Sequence, residues 1–248
     1  MKFLKNSLIF SVFVIGILLS LSVMVKANEG ANKKIENSEQ EKTLSSKANE
    51  GANKKIEKSE QEKTLSLKAN EDPNKKIENI TKELISIISL YQKDYPNNEK
   101  QYFAAITDLL ADTVDFNYIA KRVMGKFRAN TSASQNRLFA QRFREGLIET
   151  YARGLINYGG QEIVIVDPVK LEKGQKTLIV KQEIRSSGNT FPLMYSMARK
   201  KTGEWMVINM TISGINLRDI FRSQFYQAVQ QTSGDFDAVI ANWVTDVK

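Results

Sequence analysis

The chain contains neither cysteine nor histidine among its 248 residues. Without cysteine no disulfide can substitute for a missing core, so a stable fold must rest on burial of apolar side chains alone. Without either residue there is no thiolate and no imidazole. That excludes Cys/His nucleophile pairs, Ser-His-Asp triads and HExxH zinc sites. It also removes the usual protonation switch between pH 5 and 8.

The chain opens with Lys2 and Lys5, followed by an apolar stretch over 8–25 broken only by Ser and Gly. Val25 and Ala27 then stand at the −3 and −1 positions of a cut after Ala27. This is the order of a Sec-type signal peptide, so residues 1–27 are expected to be removed on export. The alternative is an uncleaved anchor, for which a run of this length is at the lower limit. The small-residue exit and the abrupt turn to polar sequence favour cleavage. No cysteine follows the apolar run, which excludes a lipoprotein anchor. Loss of Lys2, Lys5 and Lys26 lowers the net charge from +8 to +5, and residues 71–248 carry 24 basic against 20 acidic side chains. So mild an excess suits a soluble protein that visits anionic surfaces but does not by itself argue for nucleic acid.

Residues 26–46 recur at 47–67 with two changes, and a third, partial copy (KANEDPNKKIEN) starts at Lys68. A period of 21 residues equals three heptads, yet the first copy offers only Ala, one Ile and one Leu as apolar groups, and the second adds only Leu67. A coiled-coil seam needs about two per heptad. The Lys, Glu, Asn and Ser that dominate cannot bury enough surface to offset ordering entropy. Residues 28–72 are therefore expected to form a disordered tether, spanning roughly 35 Å as a flexible coil. An interaction arm for a partner or the cell wall is the functional alternative.

A folded domain is expected over 73–248, long enough for one real core. Its first half reads as helical. Ile77, Ile80, Leu84, Ile87 and Tyr91 recur at helical spacing, followed by helical segments over 99–112 and 115–127. A long helix over 134–158 carries Leu138, Phe139, Phe143, Leu147, Tyr151 and Leu155 along one face, with Gly159 and Gly160 as its stop. Strand patterns over 162–169, 176–185, 190–199 and 204–213, joined by short turns, predict an antiparallel meander. Two helices close the chain, the first capped by Asn216 and separated from the second by Ser233-Gly234-Asp235. The order of elements predicts α+β: helices packed on a curved antiparallel four-stranded sheet.

Neither GxGxxG nor GxxxxGK[ST] is present, nor an EF-hand pattern. The carboxylates are scattered. A hydrolase would need two of them to meet in the fold. Arg137, Arg142, Arg144 and Arg153 accompany Glu145 and Glu149 on the long helix. They read as a solvated, salt-bridged face, with attraction to lipid headgroups as the sharper reading. Arg222 reads as a structural ion pair, or as a contact to a headgroup or partner. Large apolar side chains are abundant. On the last strand Met206, Ile208, Met210 and Ile212 are expected on one face, Trp205 and Val207 on the other. Methionine recurs at Met124, Met194, Met197, Met206 and Met210, and flexible thioethers suit either ordinary core or a cavity of variable contents.

The segment DFNYIAKRVMGKFRANTSASQNRLFAQRFREGLIETYARGLINYGGQEIVI resembles the first half of the MlaC family. The likeness includes Asp115-Phe116 with Ile119-Ala120, the Val123–Phe127 stretch, the Phe139, Phe143, Leu147 ladder and Thr150-Tyr151-Ala152. It continues through Gly203 and Trp205, Ser213–Leu217 and Phe221–Phe225, and covers roughly residues 75–246. No single motif is diagnostic; their order is. The resemblance implies a periplasmic phospholipid carrier, not an enzyme, with no cofactor and an apolar cavity between sheet and helices that encloses acyl chains. Its implied partners are phospholipid, an inner-membrane ABC transporter complex with an MCE-type ring, and an outer-membrane lipoprotein–porin complex. The repeats depart from the family pattern.

Shielding acyl chains is worth ~0.8 kcal/mol per CH₂, about 25 kcal/mol gross for two chains of ~16 carbons. Only a deep apolar cleft can capture that. The candidates for lining it are Leu178, Val180, Leu193, Tyr195, Met197 and Val207 from the strands, with Val123, Phe143, Leu147 and Tyr151 from the helices. A periplasmic protein-binding module on the same fold is the competing reading.

Overall fold

A computed structural model of the chain describes residues 71–243. The signal segment and the first two repeats lie outside the described residues. The first element begins where the third repeat copy departs from the others: Gly30-Ala31 and Gly51-Ala52 become Asp72-Pro73. The Asp72 carboxylate accepts from the backbone N–H groups of Asn74 (2.8 Å) and Lys75 (3.2 Å), and Pro73 opens helix α1, Pro73–Gln92. An acceptor before the first turn and a residue with preset φ inside it are both helix-start devices. Asn74 then fastens the helix to the sheet side. Its amide donates to the Val169 carbonyl at 2.9 Å and accepts from the Val169 N–H at 3.0 Å.

Helices α2 (Glu99–Ala111) and α3 (Phe116–Met124) follow. The sequence predicts that α3 reaches residue 127. It stops at Met124 because Gly125 takes a φ of +54°, and the chain goes on as a 3₁₀ turn over Gly125–Asn130. Helix α4 (Ala133–Leu155) opens with a capping box, in which the Gln135 N–H donates to Ser132 Oγ and the Ser132 N–H to Gln135 Oε1. It ends at Leu155, ahead of the glycine pair expected to stop it.

Strands β1 (Glu162–Val166), β2 (Thr177–Ser186), β3 (Asn189–Arg199) and β4 (Trp205–Ile212) form the expected antiparallel meander, extended by a two-residue β5 (Ile215–Asn216). Helix α5 (Leu217–Gln231) is capped by Asn216, as its sequence predicts, and α6 (Phe236–Asn242) by Asp235. The fold is α+β.

One expectation about β4 fails. The β3–β4 pairing runs Tyr195 with Met210 and Ser196 with Asn209, but Met197 with Val207, a β-bulge that leaves Ile208 unpaired. One extra residue reverses the side-chain alternation beyond it. Met210 and Ile212 therefore share the face of Trp205 and Val207, not that of Met206.

The buried side chains form three clusters. The first joins α3, α4, α5 and α6 through Val123, Phe139, Phe143, Phe221, Phe225 and Ile240. Its rings pack edge-on, with Phe139–Phe225 centroids 4.8 Å apart and Phe143–Phe221 at 5.3 Å, arrangements that add to the burial of apolar area. The second joins Ile77 of α1 to Leu178, Val180, Met197, Trp205 and Val207 of the sheet. The third joins α1, α2 and α4 through Ile88, Tyr102, Ile106, Ile148 and Ala152. Val114 touches the first and second clusters, and Phe116 the first and third.

Candidate functional site: the half-covered face of the sheet

The second cluster fixes which side of the sheet faces the helices. In the strand register Leu178 pairs with Met197, Val180 with Tyr195, Gln182 with Leu193 and Ile184 with Phe191. These residues, with Ile163 and Ile165 of β1 and Val207, Met210 and Ile212 of β4, share one face. Helix α1 covers only part of it. Ile77 packs beside Val180, and Thr81 accepts from the Gln182 side-chain amide at 3.0 Å. One turn later α1 leaves the sheet, and Leu84, Ile87 and Ile88 belong to the third cluster. Beyond Gln182 the face continues as Ile163, Ile184 and Phe191, and on β4 Met210 and Ile212 stand level with Val180 and Gln182; all five are half-buried and in none of the three clusters. Leu193 beside them is buried, also outside the clusters.

The helical layer reaches the sheet edge through a short backbone link. The Val207 N–H donates to the Thr113 carbonyl at 2.9 Å, and the Asp115 N–H donates to the Val207 carbonyl at 2.9 Å. Thr113–Asp115 thus joins α2 and α3 to β4.

The ten residues expected to line a cleft divide by exposure. Val123, Phe143, Val180 and Met197 are fully enclosed, and Leu178, Leu193 and Val207 are buried, all at 7% exposure or less. Leu147, Tyr151 and Tyr195 remain half-buried. The helix residues belong to the first cluster and most of the sheet residues to the second, so they stand in two packed groups. Met210, Ile212, Ile184 and Phe191 were not among the expected residues. The bulge hid the first two, and strand alternation could have found the others.

Two tyrosines mark how dry this region is. Burial pushes the Tyr151 hydroxyl up to about 12, and pushes Tyr195 well above the ordinary tyrosine value. In both cases burial is the sole cause, with no hydrogen bond or charge contributing. Tyr102 is pushed up as well, but its hydroxyl donates to the Ala152 carbonyl at 2.9 Å. A different depression, between α1 and α2, is lined by Ile80, Ile87, Ala105 and Leu109 together with the charged Glu71, Lys76, Glu83, Asp108 and Asp112. Among the described residues there is no group of three or more acidic side chains placed to hold a metal. Nor is any described helix long and apolar enough to cross a membrane.

An antiparallel meander roofed by helices over part of one face, with the rest of that face apolar and half-buried, defines the α+β class of the domain. The family model of the MlaC protein matches residues 78–245. The chain belongs to the MlaC family. It is 29% identical over 168 residues to the toluene tolerance protein ttg2D of Pseudomonas putida, covering 67% of this chain and 77% of that one. It is 28% identical over 137 residues to the intermembrane phospholipid transport system binding protein MlaC of Haemophilus influenzae, covering 54% and 64%. The fold resembles a phospholipid-binding protein from Ralstonia solanacearum, solved with a phospholipid, with a TM-score of 0.59 at 18% identity. That match covers 71% of this chain and 97% of the other.

Proposed function

We propose that the protein is a periplasmic phospholipid carrier that holds acyl chains between the helices and the half-covered face of the sheet. The observation that carries this reading is an apolar face left open in a chain of the MlaC family. Tyr195 on that face and Tyr151 on the helical side both sit among apolar groups that favour the neutral hydroxyl. Such a face loses free energy in water in proportion to its area, and acyl chains would recover it. Relatives named for phospholipid transport support the ligand. The three separate clusters support a mechanism. The second cluster is the one that ties α1 to the sheet, so parting the helical layer from the sheet opens that cluster and leaves the first and third packed, with Thr113–Asp115 as the backbone link that remains. Parting would bring enclosed residues such as Val180 and Met197 into contact with a chain.

The carrier does no covalent chemistry. It takes lipid from one membrane complex and gives it to another: an inner-membrane ABC transporter complex with an MCE-type ring, and an outer-membrane lipoprotein–porin complex. Export by a signal peptide over 1–27 would put it in the periplasm, with residues 28–72 as a tether ahead of the domain.

Native mass spectrometry and lipid extraction of the purified protein test the reading. Phospholipid should co-purify, or be taken up from vesicles. A folded protein that carries none and takes none refutes it, and release of fatty acid from added phospholipid would argue for a hydrolase instead. Leu147→Asp should cut loading in a folded variant, since a carboxylate would be set among acyl chains. Undiminished loading would remove Leu147 from the lining.

A further inference from the structure

The four arginines of α4 do not have the same surroundings. Arg142 pairs with Glu145 at 3.5 Å, and Arg153 with Glu149 at 2.8 Å and Glu99 at 3.4 Å. Arg137 is exposed. Arg144 is half-buried, and its Nε is shut off from solvent with no hydrogen-bond partner. It enters no ion pair among the described residues. An N–H of a charged group enclosed without an acceptor is costly, and it points to an acceptor that the chain itself does not supply.

The position of Arg144 on the helix says where that acceptor would sit. Seven residues are nearly two full turns, so Arg137, Arg144 and Tyr151 lie on one line of α4. That line runs between the Phe139–Phe143 side, in the first cluster, and the Ile148–Ala152 side, in the third. Along it the environment grades from the exposed Arg137, through the half-buried Arg144, to Tyr151, which packs against the apolar first cluster about 10.5 Å further along the axis. A polar end and a dry end on one line match a ligand with a charged head and apolar chains.

We propose that Arg144 is the phosphate-binding residue of the lipid site: its guanidinium takes the phosphodiester oxygens of a phospholipid whose chains lie past Tyr151. This rests on the carrier reading and adds the group that is recognised. A planar guanidinium presents paired N–H donors at the spacing of phosphate oxygens. Contact at the phosphodiester, common to all phospholipids, leaves the headgroup alcohol unread. Diacylglycerol with the same chains would fill the cleft equally and leave Nε unpaired.

The test offers delipidated protein vesicles containing phosphatidylglycerol and diacylglycerol of identical chains, and counts the bound species by native mass spectrometry. The wild type should prefer the phospholipid by about tenfold or more, as for a hydrogen bond to a charged group. Arg144→Gln should bring the preference to near parity, Arg144→Lys should keep part of it, and Lys93→Gln, at an exposed cation past the end of α1, should leave it unchanged. An Arg144→Gln protein with the wild-type preference overturns the proposal. So does a wild type that loads both lipids alike, which decides the matter even if no variant folds. A wild type that loads neither lipid removes the carrier reading and this proposal with it. Stabilisation of delipidated wild type by inorganic phosphate alone, lost in Arg144→Gln and without phospholipid preference, would assign the residue to a free anion instead.

Discussion

Replacing Tyr195 with phenylalanine should stabilise the lipid-free protein. The side chain stands on the helix-facing side of β3, flanked by Val180 on β2 and Met210 on β4. Its hydroxyl is crowded by apolar neighbours, which raises its pKa, and it has no hydrogen-bond or charged partner. Holding a hydroxyl away from water without a partner costs about 1–3 kcal/mol, and because the residue is half-buried the lower end applies, about 1 kcal/mol. Removing only the oxygen keeps the ring and creates no cavity worth counting. For a domain of this size 1 kcal/mol corresponds to about 2–4 °C in Tm. Calorimetry on delipidated wild type and Tyr195→Phe would show it, with Tyr118→Phe as the control. The Tyr118 hydroxyl accepts from Arg122 Nε at 3.1 Å, so its loss should leave Tm flat or slightly lower. A fall in Tm for Tyr195→Phe would mean that the hydroxyl is satisfied after all, and the argument for a dry, open face would go with it.

Other outcomes follow from local geometry. Tyr151 holds its proton up to about 12, whereas the unfolded chain releases it near the ordinary tyrosine value of 10.0. Its contribution to stability is therefore complete below about pH 10 and is lost as pH rises toward about 12; urea midpoints on either side of pH 10 should show a steeper fall in wild type than in Tyr151→Phe. Gly125→Ala should cost about 1–2 kcal/mol, because a Cβ would stand 3.1 Å from Arg222 Nε at a φ of +54°. Pairing it with Arg222→Ala should relieve the contact and leave the backbone strain, read from urea midpoints at constant m. Asp72→Ala should cost about 1 kcal/mol by freeing two N–H groups at the start of α1, and Asp72→Asn should not; equal losses would refute the capping role.

The legible parts of the fold were those set by local periodicity. The spacing of Phe139, Phe143 and Leu147 announces a helix with one apolar face, and alternation with short turns announces a meander. The bulge between Ser196 and Met197 was not legible, because an extra residue in a ladder leaves no mark in composition and shows only when two strands are paired. Its effect is large, since it moves Met210 and Ile212 onto the face where a ligand would lie. Division of the core was hidden for a similar reason. Periodicity says that Val123 and Val180 are both inside, but not that they are inside different clusters. Arg222 reads from sequence as a structural ion pair or as a contact to a headgroup or partner; its guanidinium packs against Gly125, a contact between elements that no spacing within either could reveal.

The first turn of α1 is also the last stretch of the repeat array. Ile77, buried at 2% exposure against the sheet, has the place in its repeat that Ile35 and Ile56 have in theirs, and Asn74 the place of Asn32 and Asn53. What distinguishes the copy that begins α1 from the two before it in sequence is the pair Asp72-Pro73 in place of Gly-Ala. Two residues of a repeat unit thus supply both the cap and the preset φ with which the helix starts, so the point where the domain begins is written into the repeat itself.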